Sequence, residues 1–122
     1  MRKGGWIVPM AVFAAACHAP DIAPNAVDAS AAARGKAAAE RLGCGACHAM
    51  PGVGWPQGRV GPALAGFGER ALIAGRVPNR PDALARFVRD APSLAPGSAM
   101  PPIAMSDAEA RDIAAWLHSL RD

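Results

Sequence analysis

Aromatic side chains make up only 5% of this 122-residue chain, and alanine supplies much of its 52% apolar content. Side chains alone therefore give a thin core, and a domain this small usually needs a staple or a bound group at its centre. The chain lacks a basic block with interleaved aromatics, which excludes nucleic acid as a partner. It also lacks an apolar run long enough to span a bilayer, because the ten residues at 7–16 cover about half of the ~20 that a crossing helix needs. No alternating pattern announces a strand, and there is no internal repeat. The length allows one small domain and a tail rather than two cores.

What is present begins with a leader. Arg2 and Lys3 precede the apolar stretch and small residues end it, which is the order of an export signal over residues 1–16. Cys17 follows directly, and Ala14-Ala15-Ala16-Cys17 resembles the lipobox of bacterial lipoproteins, although Ala14 stands where that family prefers a larger aliphatic residue. The resemblance implies that Cys17 is lipidated and becomes the first residue of the mature chain. Ordinary cleavage nearby and an uncleaved N-terminal anchor are the alternatives. Residues 17–30 are rich in Ala, Pro and Asp without an apolar period, the composition of a flexible tether. A dozen such residues average about 20 Å end to end and reach about 40 Å when extended. Without Arg2 and Lys3 the formal charge of +3 falls to near balance, with 11 basic and 10 acidic residues.

The folded part occupies residues 31–122. The alanine-rich span 30–42 reads as a helix ended by Gly43, and residues 50–68 read as irregular loop for their many Gly and Pro. A short helix is expected over 69–74. Pro81 opens a better one in which Leu84, Phe87 and Val88 share a face, and it stops before Pro92. The last helix carries the clearest signals, a Ser106–Glu109 capping box followed by Ile113, Trp116, Leu117 and Leu120 at helical spacing. His118 falls outside that stripe and is expected to face solvent. The fold class is all-α with long loops.

Cys44-Gly45-Ala46-Cys47-His48 carries the chemistry. Two cysteines three positions apart on a turn can each add across one haem vinyl group, and the histidine that follows is then aimed at the iron. A c-type haem attached in this way also fills the thin core. Other readings of the pair fit less of the chain. A thioredoxin-like site wants a preceding strand and an α/β domain, and a zinc site wants a second pair where only the isolated His18 and His118 remain. A plain disulfide leaves His48 and the thin core unexplained. The chain has three cysteines, so a haem that uses two leaves Cys17 without a partner in an oxidising compartment.

From about Ala31 to Arg121 the chain resembles the class I, single-haem cytochrome c family. The resemblance rests on Gly35, the Cys-Gly-Ala-Cys-His motif, Gly61-Pro62-Ala63-Leu64, Ala99-Met100-Pro101-Pro102 and a C-terminal helix with Trp116, in that order. It implies four to five short helices wrapped around one covalent haem c, with His48 and Met100 as the axial iron ligands. A soft thioether there favours the ferrous state and suits a carrier. Met50 is too close to His48 to reach around the ring, and Met105 reads as packing. The resemblance further implies that the Pro62 carbonyl accepts the ring hydrogen of His48, and that Gly35 and Trp116 mark the crossing of the first and last helices. Trp55, Gln57 and Arg59 read either as propionate contacts or as exposed loop. Within the family, Gly58-Arg59-Val60-Gly61-Pro62, Gly75-Arg76-Val77-Pro78-Asn79 and Leu84-Ala85-Arg86-Phe87 look most like the cytochrome c domains attached to subunit II of bacterial haem-copper oxidases, here without a copper-binding domain or membrane hairpin before them.

The expected function is a one-electron carrier in a bacterial respiratory chain, passing electrons to a haem-copper terminal oxidase from the periplasmic side of the membrane on a lipid anchor. As an electron-transfer protein it would have no catalytic residues and no small-molecule substrate. A cytochrome subunit docked on a periplasmic dehydrogenase, and a haem sensor or peroxidase with an open iron site, are the alternatives.

Overall fold

The structure, a computed structural model, describes Gly4 and residues 28–121, so Cys17, the expected leader and most of the tether lie outside the described residues. Helix α1 (Ala29–Arg41) starts one residue before the expected span because Asp28 caps it, accepting the Ser30 N–H at 2.9 Å. The chain leaves α1 through Gly43, whose φ of 77° is left-handed and open to glycine without strain. The last helix, Asp107–Ser119, begins with the expected capping box. Ser106 Oγ accepts the Glu109 N–H at 3.1 Å, and the Glu109 carboxylate accepts the Ser106 N–H at 2.9 Å.

These two helices cross in direct backbone contact. A Cβ built on Gly35 would overlap the Asp112 carbonyl, so only glycine permits the approach. Ala38 and Ala39 then pack in one buried cluster with Ile113, Ala114, Trp116 and Leu117. At the edge of the crossing Arg34 grips Asp112 with two bonds, of 2.8 and 3.0 Å, and Arg41 pairs with Glu109 one turn away.

Between these helices the chain forms a 3-10 turn at Phe67–Glu69 and an antiparallel hairpin of β1 (Leu72–Ile73) and β2 (Val77–Pro78). Leu72 faces Pro78 and Ile73 faces Val77. The helix expected over 69–74 is therefore absent, and so is the expected lack of strands. Ala74 and Gly75 turn the chain back with φ of 49° and 67°, and the Arg76 N–H closes the turn on the Ile73 carbonyl at 3.0 Å. Strands of two residues are too short to display an alternating period, which is why none is visible in the sequence.

Helix α2 (Pro81–Arg89) opens with proline where no N–H is needed, and it buries Leu84 and Val88. It packs against the last helix, and Arg89 pairs with Asp107 across that contact. Helix α3 (Ala91–Leu94) is an added single turn. Asp90 interrupts α2 and caps α3 by accepting the Ser93 N–H at 3.3 Å, and Pro92 again falls where its missing donor costs nothing. The helix at Asp107–Ser119 is thus α4 in chain order, and the whole is mostly helical with one small hairpin. No helix among the described residues is long and apolar enough to cross a membrane.

Gly35→Ala is expected to lower stability by about 3 kcal/mol, the upper end of overpacking costs, because a rigid carbonyl blocks the new methyl group. Denaturant unfolding of the holoprotein measures it, and a loss within error of zero would mean that the helices part freely. Hydrogen bonds from Ser30 lower the Asp28 carboxyl below its ordinary value, those from Ser106 lower Glu109, and the Arg34 pair lowers Asp112. Depressed carboxyl groups stabilise the fold above about pH 4 and lose that contribution as pH falls through their folded values. Asp112→Asn should therefore flatten the acid limb of the stability profile between about pH 5 and pH 2.

Candidate functional site

The left-handed turn at Gly43 feeds a 3-10 turn at Cys44–Ala46, and the amides of Cys47 and His48 both bond the Cys44 carbonyl, at 3.2 and 3.0 Å. This single turn brings Cys44, Cys47 and His48 to one cavity. A second strip of backbone holds the turn from outside. The Gly58 N–H donates to Gly45 at 2.8 Å and the Gly61 N–H donates to Cys47 at 2.7 Å. A Cβ on Gly45 would stand 2.7 Å from the Pro56 carbonyl, so the seam closes only because no side chain intervenes. Gln57 secures the neighbouring loop, accepting the Met50 N–H at 2.9 Å and donating to the Met50 and Val53 carbonyls.

His48 is held on two sides. Its Nδ1 lies 2.7 Å from the Pro62 carbonyl oxygen. A carbonyl has no proton to give, so Nδ1 carries the hydrogen and Nε2 keeps its lone pair in the neutral ring. Gly61 lies across the imidazole, where a Cβ would be 2.7 Å from Nδ1 and would overlap Cε1. Tautomer and orientation are both set, as in an imidazole prepared to bind a metal through Nε2.

The cavity measures about 570 Å3, well inside the ~300–1,000 Å3 of small-molecule sites. Its walls include Leu64, Phe67, Ile73, Ile113, Trp116 and Leu117, so the buried clusters of the fold form a shell around it. Met100 and Pro62 line it as well. The Met100 N–H donates to Ser98 Oγ at 3.2 Å, which pins the start of the Met-Pro-Pro loop. Met50 is only 3% exposed and packs away from the cavity, and Met105 lies against the core without lining it. Among the described residues Met100 is thus the methionine available to a group in the cavity.

Two thiols, a ring nitrogen with a lone pair, a thioether and apolar walls suit a haem, a flat apolar ring around an iron that takes imidazole and thioether ligands. The alternatives find less support. Burial pushes the Cys44 thiol up, opposite to the depressed thiol of a dithiol oxidoreductase. No group of three or more His, Cys, Asp or Glu among the described residues could hold a zinc ion.

Trp55, Gln57 and Arg59 follow the exposed-loop reading and not that of propionate contacts, whereas His118 departs from its expected place. Trp55 is 87% exposed. Arg59 is exposed too, and neither it, Gln57 nor Trp55 lines the cavity. His118 does not face solvent; it is half-buried, with Nε2 2.8 Å from Asn79 Oδ1, and burial lowers its basicity. The residue that sequence reasoning missed is Arg70. Beside His48 it is the only ionisable nitrogen base among the described residues lining the cavity. Its guanidinium donates to the Ala63 carbonyl at 2.7 Å and lies 5.1 Å from the Phe67 ring centroid. No local pattern marks it. It gets there because Gly68 lets the preceding turn press on the end of α4, donating to Leu120 at 2.8 Å.

The profile of the Cytochrome c family matches residues 32–121. The chain is 37% identical over 89 residues to the cytochrome c oxidase subunit 2 of Alkalihalophilus pseudofirmus, an alignment that covers 72% of this chain and 25% of that protein. The chain therefore matches only about a quarter of the length of that relative. No solved structure matches at a significant level.

Gly61→Ala should force the imidazole off the Pro62 carbonyl. Proton exchange at His48 Nδ1 in the haem-loaded protein, followed by NMR, is expected to quicken at least tenfold, equivalent to ~1.4 kcal/mol of lost protection. Unchanged exchange would show that the ring tolerates the methyl group.

Proposed function

The chain belongs to the cytochrome c family, and on that premise we propose that it is a one-electron carrier with a single haem c, serving a haem-copper terminal oxidase. The observation that carries this reading is one apolar cavity lined by Cys44, Cys47, Met100 and a His48 whose tautomer is already set. Bound there, haem c supplies the iron that accepts and releases the electron. Cys44 and Cys47 would hold the ring as thioethers. His48 Nε2 and the Met100 thioether would both ligate the iron, leaving it no free site for a substrate, so the protein is read as a carrier and not an enzyme. The guanidinium of Arg70 would pair with a carboxylate of the haem.

The oxidase partner is supported by the likeness to an oxidase subunit. In this reading residues 1–16 direct export, Cys17 is lipidated, residues 17–30 form a tether, and residues 31–122 form the domain that meets its partner on the periplasmic face. An anchored carrier of this kind remains within reach of a membrane oxidase and exchanges electrons through transient contact.

Met100→Ala is expected to abolish the weak long-wavelength band that a methionine ligand gives the ferric protein, and to let carbon monoxide bind the ferrous form. Met105→Ala should leave both properties as they are; the reverse result would reassign the ligand. Mass spectrometry of the mature protein should find a diacylglycerol on Cys17, and an unmodified terminus beyond Cys17 would refute the anchor. Ferrous protein should be oxidised by a purified haem-copper oxidase, and failure at physiological salt would remove that partner.

A further inference from the structure

Asn79, just after β2, is half-buried and ties three segments together. Its backbone N–H donates to the Ala71 carbonyl at 3.0 Å, and its side-chain Nδ2 donates to the carbonyls of Arg70 at 2.9 Å and Phe67 at 3.2 Å. Two carbonyls at one end of the amide decide which end is nitrogen. Oδ1 must then be the acceptor 2.8 Å from His118 Nε2, and that ring nitrogen must carry its proton. His118 stands on the last turn of α4, close to Leu120, whose carbonyl takes the Gly68 N–H. The backbone from Phe67 to Arg70 is therefore held both by the end of α4 and by an amide that α4 orients.

We propose that Asn79, oriented by His118, is the positioning residue for Arg70, fixing the backbone that aims this guanidinium at a carboxylate of the bound haem. The inference rests on the reading that Arg70 pairs with such a carboxylate. The bond from His118 uses Nε2–H, which the neutral and the protonated ring both carry, so it persists while Nδ1 titrates. Burial and the positive charge of Arg121 keep the ring neutral near pH 7. Charged residues beside the groups bonded to it or to Asn79 include Glu69, Arg70 and Arg80, α2 packed against α4 adds Asp82 and further arginines, and among the described residues His118 has no carboxylate within ion-pair distance.

The test is the reduction potential of the haem-loaded protein as a function of pH. A fixed guanidinium keeps its carboxylate ionised, and without it the carboxylate takes up a proton at higher pH, so reduction and proton uptake become coupled over a higher pH range. Arg70→Leu should move the midpoint of this profile upward and sets the full scale. Asn79→Leu and His118→Leu should each reproduce more than half of that movement, and His118→Gln, which keeps an N–H donor, should restore the original profile. Hydrogen exchange at Arg70 Nε should quicken in the two leucine variants and return to the original rate in His118→Gln. If Arg70→Leu shifts the profile while Asn79→Leu and His118→Leu do not, the positioning role is overturned and the Arg70 reading stands. If Arg70→Leu itself leaves the profile unchanged, the Arg70 reading falls and takes the positioning role with it. Equal shifts in His118→Gln and His118→Leu would overturn the part assigned to the His118 N–H.

Discussion

Helices α1 and α4 touch through main chain at Gly35, and the position of nearly everything else follows from that contact. Close approach brings Ala38 and Ala39 into one buried cluster with Ile113 and Trp116, and both helices line the cavity. The first helix then delivers the Cys44–Ala46 turn to one part of the wall. The second helix supplies Trp116 and Leu117 to another. The acidic first half of α4 collects arginines from α1 and α2, so charge reinforces at the surface a geometry that small residues permit inside. Such exposed pairs contribute little each, and the contact at Gly35 is the firmer constraint.

The shell has a cavity where a larger protein would have side chains. Alanine at the helix crossing brings backbones together but fills no volume, and the few aromatics, Phe67 and Trp116 among them, line the space instead of occupying it. A covalently held haem stays on the unfolded chain as well, so it stabilises the fold through the apolar surface it buries only when the cavity closes around it. Covalent attachment removes dissociation as a route to losing that contribution. Fold and cofactor are in this sense one thermodynamic unit.

How much of this could be read in advance depends on the distance along the chain over which each feature is made. The capping box at Ser106 and Glu109, the stop at Gly43 and the cluster Cys44, Cys47 and His48 are local, and their residues carry the signal themselves. The crossing at Gly35 was legible only through a family resemblance, since a glycine in a helix otherwise signals weakness. The hairpin hid because Ala74 adopts a left-handed conformation that alanine rarely takes, and because its strands are two residues long. Arg70 and the pair of His118 with Asn79 were illegible for a third reason. Their partners are fixed by how the chain returns on itself, 39 positions apart in the case of the pair.

The acceptor for His48 is a main-chain oxygen. Every amino acid placed at position 62 brings that oxygen with it, so no codon change there can delete the acceptor; it can be lost only by moving the backbone. Gly61, by contrast, has no substitute without a Cβ. Inheritance of the histidine's tautomer is thus insured at one position and exposed at its neighbour, and drift in this loop should run freely through the first and stop at the second.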